Sequence, residues 1–279
     1  MLQGPLHSFR RYLLDRMVLR PSRHPIEFPH QERRLLNCEG RELECFVQRN
    51  YSDESPPDLL VLKFPGTAGR AERSSEFPSS ILDVPKWSIW TWNPPGYGQS
   101  PGRASLPAIA EAGSAFYRHV TELFAGPTSS VWLCGNSLGC VTALHVAADL
   151  QPDPAHSGLL LRNPPPLRRV VQRIADRYPH FGLVNPVIDS LCEPMDALNT
   201  ARQVNLPGVF LQSEMDTLVP IEFQNEIVSL YGGDSQVVLM EGLGHGCLAT
   251  EEHEPSIEAA VHWLWNQTGF NKRELSSPS

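Results

Sequence analysis

The sequence has no long uninterrupted hydrophobic run. No segment approaches the roughly 20 apolar residues that a membrane-spanning helix requires, and the first residues contain no apolar core followed by a small-residue cleavage site. Positive charge is also scarce, since 23 Lys and Arg stand against 31 Asp and Glu and give a formal charge of −8. Nucleic-acid binding normally needs the opposite balance, so we expect no nucleic-acid partner.

Cysteine is sparse and irregularly spaced. The six cysteines show no repeated spacing and no paired CxxC units of the kind that bind zinc. The sequence also lacks a glycine-rich phosphate loop of either common type. We therefore expect no metal and no other cofactor, and we interpret the cysteines as buried thiols. Free thiols and the missing secretory signal together favour a reducing, cytoplasmic location.

Apolar residues are present in sufficient number for one hydrophobic core. Of the 279 residues, 41% are hydrophobic and 19% are charged, which excludes a disordered chain and suits a single domain. We place this domain at residues 35–271. Residues 1–34 precede it as a distinct basic segment, with seven Arg against three acidic residues.

The basic segment has the pattern of an amphipathic helix. Leu6, Phe9, Leu13 and Met17 recur at helical spacing, with arginines spread around them. A helix of this kind either packs on the edge of its domain or lies on an anionic membrane surface. We favour packing on the domain edge, because that arrangement is the commoner one.

Strand-like and helix-like segments alternate after residue 35. Two apolar runs that flank Glu39 and Gly40 predict a hairpin. Further short apolar runs have the length of buried strands, at 59–64, 87–91, 131–134, 158–161, 209–211 and 237–240. Helical segments lie between most of them, which predicts an α/β fold with a doubly wound, mostly parallel sheet. The segment 163–206 is longer than a single crossover needs, so we expect it to form a small cap.

The most specific motif is Gly135-Asn136-Ser137-Leu138-Gly139, a GxSxG pattern between an apolar strand and a predicted helix. The glycines permit a very tight turn that holds Ser137 in a strained conformation above the sheet. The turn also places Ser137 at the amino end of the next helix, where negative charge is favoured. We predict that Ser137 is a nucleophile; the alternative is that it only caps the helix.

A serine hydroxyl needs a base and an acid partner for that base. His245 follows the predicted strand 237–240 directly, in a glycine-flanked loop, and we predict that it is the base. Asp216 follows the strand 209–211, at the sheet edge where ligands bind in open α/β sheets. We predict that Asp216 is the acid. Glu214 is the alternative acid, and Asp216 could instead cap the helix that begins near residue 220.

Two N–H donors are needed to stabilise charge on a substrate carbonyl oxygen. The backbone N–H of Leu138, directly after the nucleophile, is predicted to be one of them. The loop 64–69 reads FPGTAG and is rich in small residues that allow a close backbone approach. We predict that the N–H of Thr67 is the second donor; the alternative is that this loop is a plain turn.

Four blocks together carry a family resemblance: FPGTAG, the NPPGYGQS segment at 93–100, GNSLG, and the pair MDTLVP and GLGHG. On these blocks, the chain resembles the α/β-hydrolase superfamily over most of residues 35–268, in particular its serine-peptidase-like and monoglyceride-lipase-like branch with a modest cap. Two positions depart from that pattern. Prolines stand where the arginine-glycine-tyrosine-glycine turn of that branch usually begins, and Pro65 replaces the histidine that commonly precedes the oxyanion glycine.

The resemblance implies a serine hydrolase that cleaves carboxylic esters or related small acyl compounds through an acyl-enzyme. Two alternatives stay open: an acyltransferase on the same fold, and a non-catalytic scaffold that binds a ligand or a protein. The predicted cap also carries Arg168, Arg169, Arg173 and Arg177. These arginines either hold an anionic substrate or form a solvated helix face, which is the more common situation.

Overall fold

The computed structural model describes residues 4–28, 30–176 and 184–269. Within these ranges one sheet has eight strands, in the order β1-β2-β4-β3-β5-β6-β7-β8. The strands are β1 (Glu32–Cys38), β2 (Arg41–Arg49), β3 (Leu59–Phe64), β4 (Trp87–Trp92), β5 (Ser130–Asn136), β6 (Ser157–Arg162), β7 (Gly208–Ser213) and β8 (Ser235–Met240). Strand β2 pairs antiparallel with both of its neighbours, and all other pairs are parallel.

Local sequence explains both kinds of strand. The β1–β2 hairpin closes at Glu39 and Gly40, both with positive φ (53° and 80°), as the two central residues of a twisted hairpin turn require. Strands β3 to β7 are buried along nearly their whole length. Burial on both faces accounts for their continuous apolar runs, because helices or connecting segments cover each side of a parallel sheet.

The described part of the chain contains eight α-helices. They are α1 (Pro5–Val18), α2 (Leu106–Phe124), α3 (Leu138–Leu150), α4 (Leu167–Ala175), α5 (Asn185–Ile188), α6 (Ala197–Ala201), α7 (Ile221–Leu230) and α8 (Glu254–Thr268). Buried side chains of α2 and α3 and residue Ile227 of α7 belong to one hydrophobic cluster, whereas α8 belongs to a second cluster with the β3–β4 connection. None of the helices in the described ranges is long and apolar enough to cross a bilayer.

The fold class predicted from the sequence is confirmed: the sheet is open, mostly parallel, and flanked by helices. Between β6 and β7, inside the predicted cap, lie α4, α5, a 3-10 turn (Glu193–Met195) and α6. The β3–β4 connection differs from the other long crossovers. It contains only two 3-10 turns, Ala71–Arg73 and Ser79–Ile81, instead of an α-helix.

Candidate active site

Ser137 lies on a strained turn between β5 and α3. Its backbone angles are φ 51° and ψ −120°, a combination that costs energy for a non-glycine residue and is found mainly at functional sites. The two glycines of the motif make the turn possible. A Cβ at Gly135 would lie 2.5 Å from the Cα of Cys140, and a Cβ at Gly139 would collide with the carbonyl oxygen of Phe64.

Three side chains from distant parts of the sequence meet at this turn. His245 Nε2 lies 3.0 Å from Ser137 Oγ, and His245 Nδ1 lies 2.5 Å from Asp216 Oδ2. The Asp216 side chain is fully buried, and that of His245 is 24% exposed. Because an ionised carboxylate can only accept, Nδ1 carries the proton and Nε2 accepts from the Ser137 hydroxyl. The structure therefore brings together the three residues that the sequence pointed to.

The turn after β7 holds the Asp216 carboxylate in place. Asp216 Oδ1 accepts hydrogen bonds from the backbone N–H groups of Leu218 (2.9 Å) and Val219 (2.8 Å). The cap residue of α7 is Pro220, so Asp216 does not cap that helix. Glu214, the alternative acid, is exposed and accepts instead from the N–H of Gly242, at 2.9 Å. It makes no contact with His245.

Leu138 directly follows Ser137, and the loop that contains Thr67 lies beside the serine turn. Leu138 is the first residue of α3, so its N–H has no partner within the helix. Thr67 lies in the loop after β3, and this loop is close to the serine turn, since a Cβ at Gly66 would be 3.5 Å from that of Ser137. The Thr67 hydroxyl donates to the carbonyl of Val18 (3.0 Å), which ties the loop to the end of α1.

A cavity of about 420 Å³ opens at the serine. Its wall includes Ser137, Leu138, Thr67 and His245, together with aliphatic side chains from three elements: Met17 and Val18 of α1, Leu167, Val170, Val171 and Ile174 of α4, and Leu218 and Val219 of the turn before α7. The N-terminal helix thus contributes part of this wall, a role that its amphipathic pattern did not reveal.

The arginines of the cap helix do not line this cavity. Arg168 pairs with Asp196 at 3.0 Å, and Arg169 pairs with Glu226 at 3.2 Å. Arg173 is exposed, and Arg177 lies outside the described residues. None of the three described arginines therefore faces a substrate in this cavity, and the structure favours the alternative of a solvated, ion-paired helix face.

Solved structures of other proteins share this architecture. No protein-family model matches the chain. Est1E from Butyrivibrio proteoclasticus, solved with ferulic acid, is 16% identical, with a TM-score of 0.63 over 84% of this chain and 98% of Est1E. An acetyl xylan esterase from Paenibacillus sp. R4 is 16% identical, with a TM-score of 0.62 over 94% and 95%. An α/β serine hydrolase homologue from Coxiella burnetii is 17% identical, with a TM-score of 0.55 over 85% and 98%.

The chain has the α/β-hydrolase fold. Within this fold, sequence reasoning missed one residue that holds the loop after β8 in which His245 lies, called the histidine loop below. Asn163 is fully buried after β6, with φ 52°. Its side-chain carbonyl accepts from the N–H of Ser213 (2.8 Å), and its amide donates to the carbonyl oxygen of His245 (3.2 Å). Its positive φ marks Asn163 as unusual, but backbone angles can be read only from the structure and not from the sequence.

A buried polar network was also missed. It lies beneath the loop 64–69, which is called the oxyanion loop below because it contains the predicted donor Thr67. The Glu44 carboxylate accepts from the backbone N–H of Gln99 (2.7 Å), from Asn93 Nδ2 (2.8 Å) and from Arg33 Nε (2.6 Å). Burial raises the pKa of Glu44, but these hydrogen bonds outweigh it, so that the pKa lies below its usual value. This network anchors the GYG turn on β2.

The cysteines differ in exposure. Cys38, Cys45, Cys134 and Cys140 are buried and Cys247 is exposed, and all six are unpaired. Burial raises the pKa of Cys134 to about 12, so this thiol next to the serine turn is not a nucleophile. Among the described residues, no group of three or more His, Cys, Asp or Glu side chains lies close enough together to hold a metal ion.

Proposed function

We propose that this protein is a serine hydrolase that cleaves carboxylic esters through an acyl-enzyme intermediate. The relay from Ser137 through His245 to Asp216, with distances of 3.0 and 2.5 Å, carries the proposal. The strained backbone of Ser137 supports it, because such strain costs about 1–3 kcal/mol and is retained mainly where function requires it. The names of two structural neighbours, Est1E and an acetyl xylan esterase, also favour ester hydrolysis.

In the first half-reaction, Ser137 Oγ attacks the carbonyl carbon of the ester while its proton passes to His245 Nε2. The Asp216 carboxylate stabilises the imidazolium that forms, and its hydrogen bonds to Leu218 and Val219 keep it oriented. The negative charge that develops on the carbonyl oxygen is stabilised by the N–H of Leu138, at the amino end of α3, and by the N–H of Thr67, in the loop after β3.

The tetrahedral intermediate then collapses and the acyl–oxygen bond of the ester breaks. His245 donates its proton to the departing alkoxide, so that an alcohol leaves and the acyl group stays on Ser137. In the second half-reaction a water molecule takes the place of the alcohol. His245 removes its proton, the acid product forms, and the Ser137 hydroxyl is restored.

The cavity wall indicates which esters fit. Aliphatic side chains of α1 and α4 form much of this wall. The lining also includes Arg20, whose guanidinium donates to the backbone carbonyls of Arg16 and Leu19, so burial of an apolar group is favoured along the aliphatic part of the wall. A volume of about 420 Å³ accommodates a short to medium chain rather than a polymer. We therefore propose small, apolar carboxylic esters as substrates.

Hydrolysis of p-nitrophenyl esters from acetate to octanoate, together with labelling by a fluorophosphonate, tests the proposal. We expect the unmodified protein to be labelled once, and Ser137→Ala and His245→Ala to lose activity by a factor of about 10³ or more. Ser229→Ala and His262→Ala, which change exposed residues, are the matched controls and should keep full activity.

The same experiment separates the alternatives. If the unmodified protein is neither labelled nor active, it is a non-catalytic scaffold and the proposal is wrong. If labelling occurs but ester turnover needs an added alcohol or amine acceptor, the chain is an acyltransferase rather than a hydrolase. Full activity in folded Ser137→Ala would place the chemistry elsewhere in the molecule.

A further inference from the structure

A second, larger cavity of about 580 Å³ lies on the other side of the oxyanion loop. It shares Gly66, Gly69 and Asn136 with the cavity at the serine, but Ser137 and His245 do not line it. The cavity reaches from the β3–β4 connection to Ile257 of α8. Its position follows from the fold, because the 3-10 turns of that connection leave part of the sheet uncovered where an α-helix would fill the space.

The wall of this second cavity combines apolar side chains with positive charge. The apolar part comprises Phe64, Phe77, Leu160, Leu211, Met240 and Ile257. Lys63, Arg73 and Arg162 add three cations, and the lining includes no Asp or Glu. A fourth cation, Arg70, is neutralised by its ion pair with Glu72.

Within the described ranges none of the three cations forms a direct ion pair, although the Asp216 carboxylate is close enough to Arg162 to interact with its charge. Lys63 Nζ donates only to the backbone carbonyl of Ser75, at 2.6 Å. Arg162 donates to the carbonyl of Cys247, and its Nε is buried without an acceptor in the part of the chain that the structure describes. Burial lowers the pKa of Lys63 to about 8. Burial of the Lys63 charge without a counter-ion is costly, and an anion bound there would offset that cost.

We propose that this cavity is a binding site for an amphiphilic carboxylate, whose apolar body contacts the sheet and whose carboxylate pairs with Lys63 and Arg162. The apolar body and the carboxylate are both needed to account for a wall that combines apolar side chains with cations. An uncharged apolar ligand would leave the cations unpaired, and a small inorganic anion would leave the apolar surface in water. The site lies outside the serine cavity, so binding does not require any chemistry at Ser137.

Calorimetric titration with decanoate, and with decan-1-ol as the uncharged probe, tests this site. Lys63→Met removes the charge but keeps the length of the side chain. Lys86→Met is a matched control, because Lys86 pairs with Asp53 and does not line the cavity. We expect decanoate affinity to fall at least tenfold in Lys63→Met and to stay unchanged in Lys86→Met. Decanol affinity should change less than twofold in both variants.

Two substitutions distinguish the cavities. Ala249→Trp narrows the second cavity and Val170→Trp narrows the one at the serine. We expect only Ala249→Trp to weaken decanoate binding.

Arg73→Gln, at an exposed position, is a further charge variant that should fold normally if Lys63→Met does not. It should weaken decanoate binding about threefold or more. The proposal is overturned if the unmodified protein does not bind decanoate, or if Val170→Trp abolishes binding while the charge variants leave it intact.

Discussion

The phenol of Tyr97 donates a 2.8 Å hydrogen bond to the backbone carbonyl of Thr67. Tyr97 belongs to the GYG turn and is 1% exposed, whereas Thr67 belongs to the oxyanion loop. The N–H of Arg20 donates to the same carbonyl, at 3.3 Å. The N-terminal segment and the GYG turn therefore both hold the loop that we propose to stabilise the oxyanion, although neither touches Ser137 directly through these contacts.

Replacing Tyr97 by Phe should loosen this loop without removing any proposed catalytic group. We expect kcat for a p-nitrophenyl ester to fall about three- to tenfold, with little change in KM, because a displaced donor acts mainly in the transition state. Tyr231→Phe is the matched control, since Tyr231 donates a similar 2.8 Å bond to Leu206, far from the site. An equal loss of kcat in both variants would mean that the effect is one of general stability.

The acid role can be assigned by two amide substitutions. In Asp216→Asn the side-chain carbonyl can still accept from Leu218 and Val219, but the amide presents N–H groups to His245 and favours the wrong tautomer. We expect kcat to fall by roughly 10³ or more. Glu214→Gln should change kcat less than threefold, because Glu214 contacts only the N–H of Gly242 in the histidine loop. The reverse result in folded variants would transfer the role to Glu214.

Asn163 should prove to be a positioning residue. Asn163→Gly removes the three side-chain hydrogen bonds, two with Ser213 and one with the carbonyl of His245, while glycine tolerates the positive φ without strain. We expect kcat to fall about tenfold, because the carbonyl of His245 loses its donor. Asn163→Ala should show a similar loss of kcat and also a lower melting temperature, since alanine is strained at φ 52°. Unchanged kcat in Asn163→Gly would contradict a role in holding the histidine loop.

Glu44 should contribute to stability in a pH-dependent way. Its pKa is lower in the folded than in the unfolded state, so its contribution is complete above the unfolded pKa and is lost as the pH falls through the folded pKa. Glu44→Gln should lower the free energy of unfolding by about 1–3 kcal/mol at pH 7, with a smaller difference from the unmodified protein at acidic pH. Denaturant unfolding at a series of pH values measures this, and a difference that does not shrink on acidification contradicts it.

Lys63 should have the opposite effect. Its pKa falls from 10.5 to about 8 on folding, so its charge opposes folding below pH 8 and does so progressively less between pH 8 and 10.5. Lys63→Met should therefore raise the free energy of unfolding at pH 7 by roughly 1 to 2 kcal/mol, a figure reduced for partial exposure to solvent. The gain should disappear near pH 11. Lys86→Met is the control, and a loss of stability at pH 7 in Lys63→Met would contradict the prediction.

Much of the fold was predictable because each element is specified locally. The run 59–64 coincides with β3, and the helix predicted after the GxSxG pattern is α3, which begins at Leu138. The structure also brings Ser137, Asp216 and His245 into contact, because each of them follows a parallel strand and such strands end at one sheet edge. Their catalytic roles remain predictions, as do the boundaries of the N-terminal segment, domain and cap.

Contacts that depend on two remote segments could not be predicted. The placement of Met17 in the wall of the serine cavity requires the packing of α1, and the bond from Asn163 to the carbonyl of His245 joins loops 82 residues apart. The cap arginines show the same limit, since helical periodicity indicates which residues share a face but not which face meets the cavity.

The sequence by itself determined the order of strands and helices, the strained turn at Ser137 and the presence of an acid and a base after later strands. These features depend on hydrophobic periodicity, on glycine and on chain order, which are local or topological properties. Only the tertiary structure decided which side chains line the two cavities and which cations are left without counter-ions. Those outcomes depend on how non-adjacent surfaces pack, and no short stretch of sequence encodes that packing.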